Sequence, residues 1–337
     1  MKFSIYFSYN LDLLNLMNVL TGEEFYVGCH RDAFARFGGS LSDDSQHHIK
    51  EAVDINSRGA MLGPFLCLVI SAVPNFERRS VTRMFSDANL LKQSFSQYRY
   101  FSSEKWPMQK SIFRLLLPVV RELEAKGFRE YWLTNRLPLL EEARRELSRF
   151  VYEFELQDEI EYMLGPGQTI DSITLYLCTF AAPHGIKLCG PCYISDVAFP
   201  KAATLSAAIH EMFHPPYDAN NLENELAKLG MDPLLKHAFE TKDPKYGYPT
   251  MTGFIEENVV EAMALSICQR IGLGEDPLGY LLSHDDGSHV LSVILLEYFK
   301  RYPKLGSQTF EEYFRDLLKR MPIGELDVEY EFTQHRM

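Results

Sequence analysis

The 337-residue chain has no run of basic residues, and its net charge is −12 with a pI of about 5.4. A nucleic-acid groove needs Lys and Arg clustered against phosphates, so no nucleic-acid partner is expected. The charged stretches that do occur, "ELEAKGFRE" and "LEEARRELSRF", mix signs at helical spacing, as solvated helix faces do. Long apolar runs are missing too. None approaches the roughly 20 residues of a membrane span, so no membrane partner is expected. The most apolar segment, "AMLGPFLCLVISAV", is shorter, contains Pro64 and reads as a buried helix. The opening "MKFSIYFSYNLDLLNLMNVLTGEE" lacks the unbroken apolar core of a secretory signal, because Ser8, Tyr9 and Asn10 interrupt it. It reads as a first strand followed by a helix, and a cytoplasmic location is the expectation. Neither an internal repeat nor a low-complexity tract is present.

Cysteine is sparse, with six in the chain: Cys29, Cys67, Cys178, Cys189, Cys192 and Cys268. Most sit in apolar surroundings, where a free thiol behaves as a small hydrophobe. Cys189 and Cys192 have no second close pair to complete a four-cysteine zinc site. Their "LCGPC" has the spacing of a thioredoxin-type redox motif, which requires a helix starting at the first cysteine. Here strand-like "YISDVAF" follows, and Gly190-Pro191 is turn chemistry, so a structural turn between two strand segments is expected.

What is present is ordinary globular material, 46% apolar and 24% charged. Helical periodicities recur around 46–73, 109–126 and 137–162, and "LGPGQ" at 164–168 breaks them. "TIDSITLYLCTF" then alternates as a strand, and helices are predicted over about 221–241, 252–272, 289–302 and 308–320. The expected fold is α+β and predominantly helical. Residues 1–165 form a mainly helical N-terminal region, and 166–337 form a domain with a small mixed sheet, an active-site helix and a C-terminal helical part.

Within "IHEMFHPPYD" the residues His210, Glu211 and His214 make an HExxH pattern. Histidines four apart share a helix face. The neighbours Ala207, Ala208, Ile209, Met212 and Phe213 are uncharged, so the helix is one to bury. Burying three ionisable groups is costly unless they are paired, and a metal ion would remove that cost. Two imidazoles suit Zn²⁺, and Glu211 beside the first has the place of a general base. A catalytic site then needs a third protein ligand. The candidates are Glu257 with Glu261 one turn on to orient a histidine, Asp243 in "ETKDPKYGY", or Glu261 with Glu257 in support. Glu256 is expected to point to solvent. Pro215 disfavours helical backbone at His214, so the helix should end or bend there. Tyr246, Tyr248, Tyr298, Tyr302, His284 and His289 are candidates to stabilise an oxyanion.

His210, Glu211 and His214 followed by a helical glutamate resemble the zincin metallopeptidases with a glutamate ligand, the gluzincins. "HEMFHP", a "YG" segment and "EENVVEAMAL", with "LLEYFKRYPKL" and "FEEYFRDLLKR" later, resemble a little-characterised bacterial zincin-like family known only as a domain of unknown function. The resemblance covers roughly 170–320. It implies a zincin-like fold, Zn²⁺ held by His210, His214 and Glu257, Glu211 as general base, and a peptide or protein substrate whose peptide bonds are hydrolysed. A zincin-like scaffold that binds metal or peptide without turnover is the alternative. There are departures. Pro215 stops a helix that continues in many zincins, and Glu257 lies 43 positions beyond His214, farther than in thermolysin-like enzymes. Glu261 stands where that bacterial family leads one to expect a basic residue. "TKDPKYG" resembles the signature of zincins with an aspartate ligand, though Glu240 replaces its expected glycine.

Overall fold

Strand β1, Lys2–Phe7, finds its partner far along the chain. In the computed structural model, which describes residues 2–56, 59–98, 101–167, 172–243, 248–274 and 276–334, β1 runs parallel to β2, Ser172–Cys178. The register runs from Lys2 opposite Ser172 to Phe7 opposite Leu177. β2 in turn pairs in parallel with β4, Cys192–Asp196, and the short β3, Ile186–Lys187, closes the edge antiparallel to β4. The four-stranded order is β1-β2-β4-β3. β2 is central, and Ile173, Leu175, Tyr176, Leu177 and Cys178 are all buried, so both its faces are covered. Parallel strands characteristically are.

The principal helices are numbered in chain order. One compact unit comprises 2–151 and 172–204. It holds the sheet together with α1 (Tyr9–Leu20), α2 (Asp43–Ile55), α3 (Leu62–Ser71), α4 (Trp106–Ala125) and α5 (Leu137–Val151). α3 is the buried helix expected from "AMLGPFLCLVISAV", with Pro64 in its first turn, where a missing N–H costs nothing. It lies so close to α1 that a Cβ on Gly63 would sit 2.8 Å from Asn15 Oδ1. Asn18 Oδ1 uses that closeness to accept from Gly63 N at 2.6 Å. Below them Asp12 is wholly buried, accepting from Trp132 Nε1 at 2.7 Å and Thr179 N at 2.6 Å.

The second unit comprises 152–171 and 205–337. It contains α6 (Leu156–Leu164), most of α7 (Lys201–Met212), α8 (Pro233–Thr241), α9 (Met251–Arg270), α10 (Pro277–Ser283), α11 (Val290–Arg301), α12 (Phe310–Arg320) and α13 (Leu326–Gln334). α9 is its axis, buried nearly all round and packed against α11. Helix limits predicted at 252–272, 289–302 and 308–320 fall within two residues of those seen. The span 221–241 is two helices instead, broken where Asp232 caps α8 by accepting from Leu234 N.

The class is therefore α+β, mostly helical with a small mixed sheet, as expected. The division differs from 1–165 and 166–337. Parallel pairing with β1 takes 172–204 into the N-terminal unit. Conversely, α6 goes with the later helices: Gly165, at φ +86°, ends it where a Cβ would collide with Gln308 O at 2.1 Å. Leu188 N donates to Cys192 O at 3.0 Å across a turn with Gly190 at φ +74°, the turn expected for "LCGPC". All six cysteines are free thiols. Burial raises the Cys189 pKa to about 11 and also raises that of Cys192, so neither is a poised thiolate. Among the described residues no helix is long and apolar enough to cross a membrane.

Candidate metal centre

α7 stops at Met212, and Phe213 N turns back to His210 O at 3.0 Å. His210 thus stands in the last helical turn, while His214 lies beyond it on the irregular chain before Pro215. This is the break that Pro215 imposes. Opposite them runs α9, started by Thr250, whose hydroxyl accepts from Gly253 N at 3.1 Å. Asn258 locks α9 to the start of α11. Its Oδ1 accepts from Leu291 N at 3.1 Å and Ser292 N at 3.2 Å, and Ser292 Oγ donates to its carbonyl at 2.7 Å. Glu257, next to this lock, is held on a buried and fully packed helix.

The imidazoles converge on Glu257. His210 Nε2 lies 3.1 Å from His214 Nε2 and 3.1 Å from Glu257 Oε1, and His214 Nε2 lies 3.4 Å from Glu257 Oε2. Tetrahedral zinc with bonds of about 2.0–2.1 Å sets its ligand atoms roughly 3.3 Å apart, so these separations match the edges of such a site. The far sides of both rings are also engaged. His210 Nδ1 donates to Glu261 Oε2 at 2.6 Å, and His214 Nδ1 donates to Glu256 Oε1 at 3.1 Å. With each Nδ1 held by its own glutamate, both Nε2 atoms are turned toward Glu257, the side a metal ligand presents. The two Nε2 atoms cannot both carry a proton toward each other at 3.1 Å.

Three carboxylates surround two imidazoles, an excess of negative charge that a divalent cation would offset. Without one, protons take that role. Burial opposes the His210 imidazolium, but Glu257 and Glu261 outweigh it and hold its pKa well above the ordinary histidine value. The same holds less strongly for His214, where burial is outweighed by Glu256 and Glu257. Burial would raise the Glu257 pKa, but His210 and His214 keep it well below the usual carboxylate range.

Two phenols stand near this cluster. Burial first, then the charges of Glu257 and Glu261 respectively, raise the pKa of Tyr248 and Tyr280, so both phenols stay neutral. Tyr217, three residues past His214, stacks on Phe314 with centroids 5.2 Å apart, and its buried hydroxyl has no hydrogen-bond partner among the described residues.

Of the residues singled out in the sequence, His210, His214 and Glu257 come together, with ligand atoms within 4.8 Å of one another. Glu211 is half-buried on α7 between the two histidines. Glu261 sits behind His210 and not at the Nε2 atoms. Asp243 belongs to no such group among the described residues, and Tyr246, like 244–247 of "TKDPKYG", lies outside them. Of the other oxyanion candidates, Tyr298 and Tyr302 pair with each other at 5.6 Å, and His284 and His289 form a separate cluster with Asp285. The expectation for Glu256 fails: it binds His214. The reason is the helix end, since His214 meets α9 from a different direction than His210 and reaches the preceding glutamate. Glu256, Asn258, Tyr217 and Tyr280 carry no spacing signature that a sequence reading detects.

No protein-family model matches the chain, and neither the curated proteins nor the solved structures yield a match.

Proposed function

We propose that the protein is a zinc-dependent peptidase whose metal is held by His210, His214 and Glu257. The observation that carries this reading is the convergence of two Nε2 atoms and one carboxylate at 3.1–3.4 Å, with each Nδ1 tied to its own glutamate. The donor set suits zinc: two imidazoles, a carboxylate, and an outer ring of Glu256 and Glu261. Zn²⁺ in such a site supplies a Lewis acid that polarises a carbonyl and acidifies water.

The chain's own residues would do the rest. Glu211 accepts the proton of the attacking water and returns it to the leaving amine, the two roles of a general acid–base. Glu261 and Glu256 fix ring orientation and hold the Nδ1 protons. The Tyr248 phenol, which burial and the charge of Glu257 keep neutral, is a candidate donor for an oxyanion. The substrate is a peptide or protein, by the resemblance of the HExxH helix and the later glutamate helix to gluzincins.

The test pairs metal analysis with a peptide-library assay on wild type and Glu211→Gln. Zinc near one per chain, with hydrolysis that Glu211→Gln lowers by about 10²-fold or more, is expected. Zinc binding with no hydrolysis by wild type would mark a metal-binding scaffold. Wild-type zinc affinity and stoichiometry kept by both His210→Ala and His214→Ala would end the reading.

A further inference from the structure

We propose that His284, Asp285 and His289 form a second site, for a borderline divalent transition cation such as Zn²⁺. The three lie between the end of α10 and the start of α11. Asp285 Oδ2 is 3.2 Å from His289 Nε2, and Asp285 Oδ1 is 3.7 Å from His284 Nε2. The two rings are 5.3 Å apart, and one ligand atom from each of the three residues lies within 4.8 Å of the others. None of them belongs to the His210 centre.

A hydrogen-bonded cluster that merely braces the loop is the competing account. It covers His289, whose Nε2 is within hydrogen-bond distance of Asp285 Oδ2. It does not cover His284, since 3.7 Å is too long for a hydrogen bond to Asp285. Two ligands of one ion sit roughly 3.3 Å apart, and 3.2 and 3.7 Å bracket that spacing. His289 is only 1% exposed, so packing fixes its ring before any cation binds.

The chemistry of the donors selects the ion. Two imidazoles and one carboxylate favour zinc and its neighbours over calcium or magnesium, which take oxygen ligands. Affinity below that of the His210 centre is expected. The His284 side chain is 40% exposed, and all three ligands lie on the connection between α10 and α11, so ordering costs more. The surroundings are aromatic: Tyr280 stacks on His284 at 4.7 Å, and the Tyr248 ring meets His289 edge-on at 6.4 Å.

The test is zinc titration of the chelator-stripped full chain, read by native mass spectrometry and calorimetry. Two ions are expected for wild type. His284→Ala and Asp285→Asn should weaken only the looser ion, by more than about tenfold, the lower end of what removal of even outer-sphere partners does. Asn tolerates the left-handed backbone that Asp285 adopts at φ 45°, and His284 is half-exposed, so both variants should keep the fold. His210→Ala should lose the tighter ion and keep the looser one. A wild type that binds one ion, lost in His284→Ala and kept in His210→Ala, supports this site and sinks the His210 centre instead. A single ion that His284→Ala retains, or a second ion indifferent to both His284→Ala and Asp285→Asn, overturns the proposal.

Discussion

Glu256 and Glu261 differ from Glu257 only in which nitrogen they face. Glu257 meets the two Nε2 atoms; its neighbours hold the two Nδ1 protons. That division assigns distinct outcomes to single substitutions. Glu257→Ala should abolish zinc binding at the His210 centre. Glu261→Gln and Glu256→Gln keep an oxygen acceptor but lose the charge, and each should weaken zinc by about 10–100-fold, as outer partners do. Competition titration against a chromophoric chelator measures all three. Equal losses would mean that the ligand and support roles are wrongly divided. The proton balance gives a second check. In the metal-free protein the His210 pKa is raised well above the ordinary value, so the ring still holds its extra proton at pH 7. Zinc must displace that proton. Binding at pH 7 should therefore release protons, read as a binding enthalpy that varies with buffer ionisation enthalpy, and affinity should fall as pH is lowered, roughly tenfold per pH unit for each proton displaced. Affinity flat from pH 7 to 5.5 would contradict the assignment of His210.

At the scale of elements, the position of Glu257 depends on how α9 is anchored. Asn258 is fully buried and satisfies Leu291 N, Ser292 N and Ser292 Oγ at the N-terminus of α11. Asn258→Ala strands those groups, and each buried orphan costs about 1–3 kcal/mol. The substitution should lower unfolding free energy by at least about 2 kcal/mol in denaturant titration and weaken zinc as well, because Glu257 is the adjacent residue. Asn258→Asp restores the acceptor and should recover part of the zinc affinity. Much of this element was legible in the sequence. The HExxH spacing put His210 and His214 together, the helix predicted over 252–272 carried Glu257, and Pro215 placed the helix end. Glu256 was not legible, because its role comes from the angle at which a non-helical His214 meets α9. The parallel pairing of β1 with β2 was hidden for a related reason. Hairpins announce themselves through a local turn, whereas a parallel partner lies a long crossover away and leaves no mark at either strand.

Across the whole molecule, the two compact units carry buried ionisable groups of opposite behaviour, and this separates their responses. In the unit of 2–151 and 172–204, burial raises the Asp12 pKa to about 7, although Trp132 and Thr179 donate to its carboxylate. Unfolded, the same group titrates near its ordinary value of about 3.9. Between those pH values the folded state keeps a proton that the unfolded state has lost, so stability falls as pH rises. The contribution is intact below about pH 4, is lost progressively up to about pH 7, and amounts to on the order of 4 kcal/mol. Asp12→Asn should flatten that slope, while costing about 1–3 kcal/mol near pH 5 because its amide cannot accept from Trp132 Nε1 as well as Thr179 N. In the unit of 152–171 and 205–337 the proposed controlling ligand is instead zinc, which would stabilise whatever binds it by RT ln(1 + [Zn]/Kd). Hydrogen exchange read segment by segment distinguishes the two. Zinc should slow exchange in α7, α9 and the start of α11, and Asp12→Asn should speed it in α1 and β2. If zinc protected α1 and β2 as strongly as α9 at a concentration saturating only the tighter ion, the metal would have to act through the core of the sheet-bearing unit, and its placement among His210, His214 and Glu257 would be untenable.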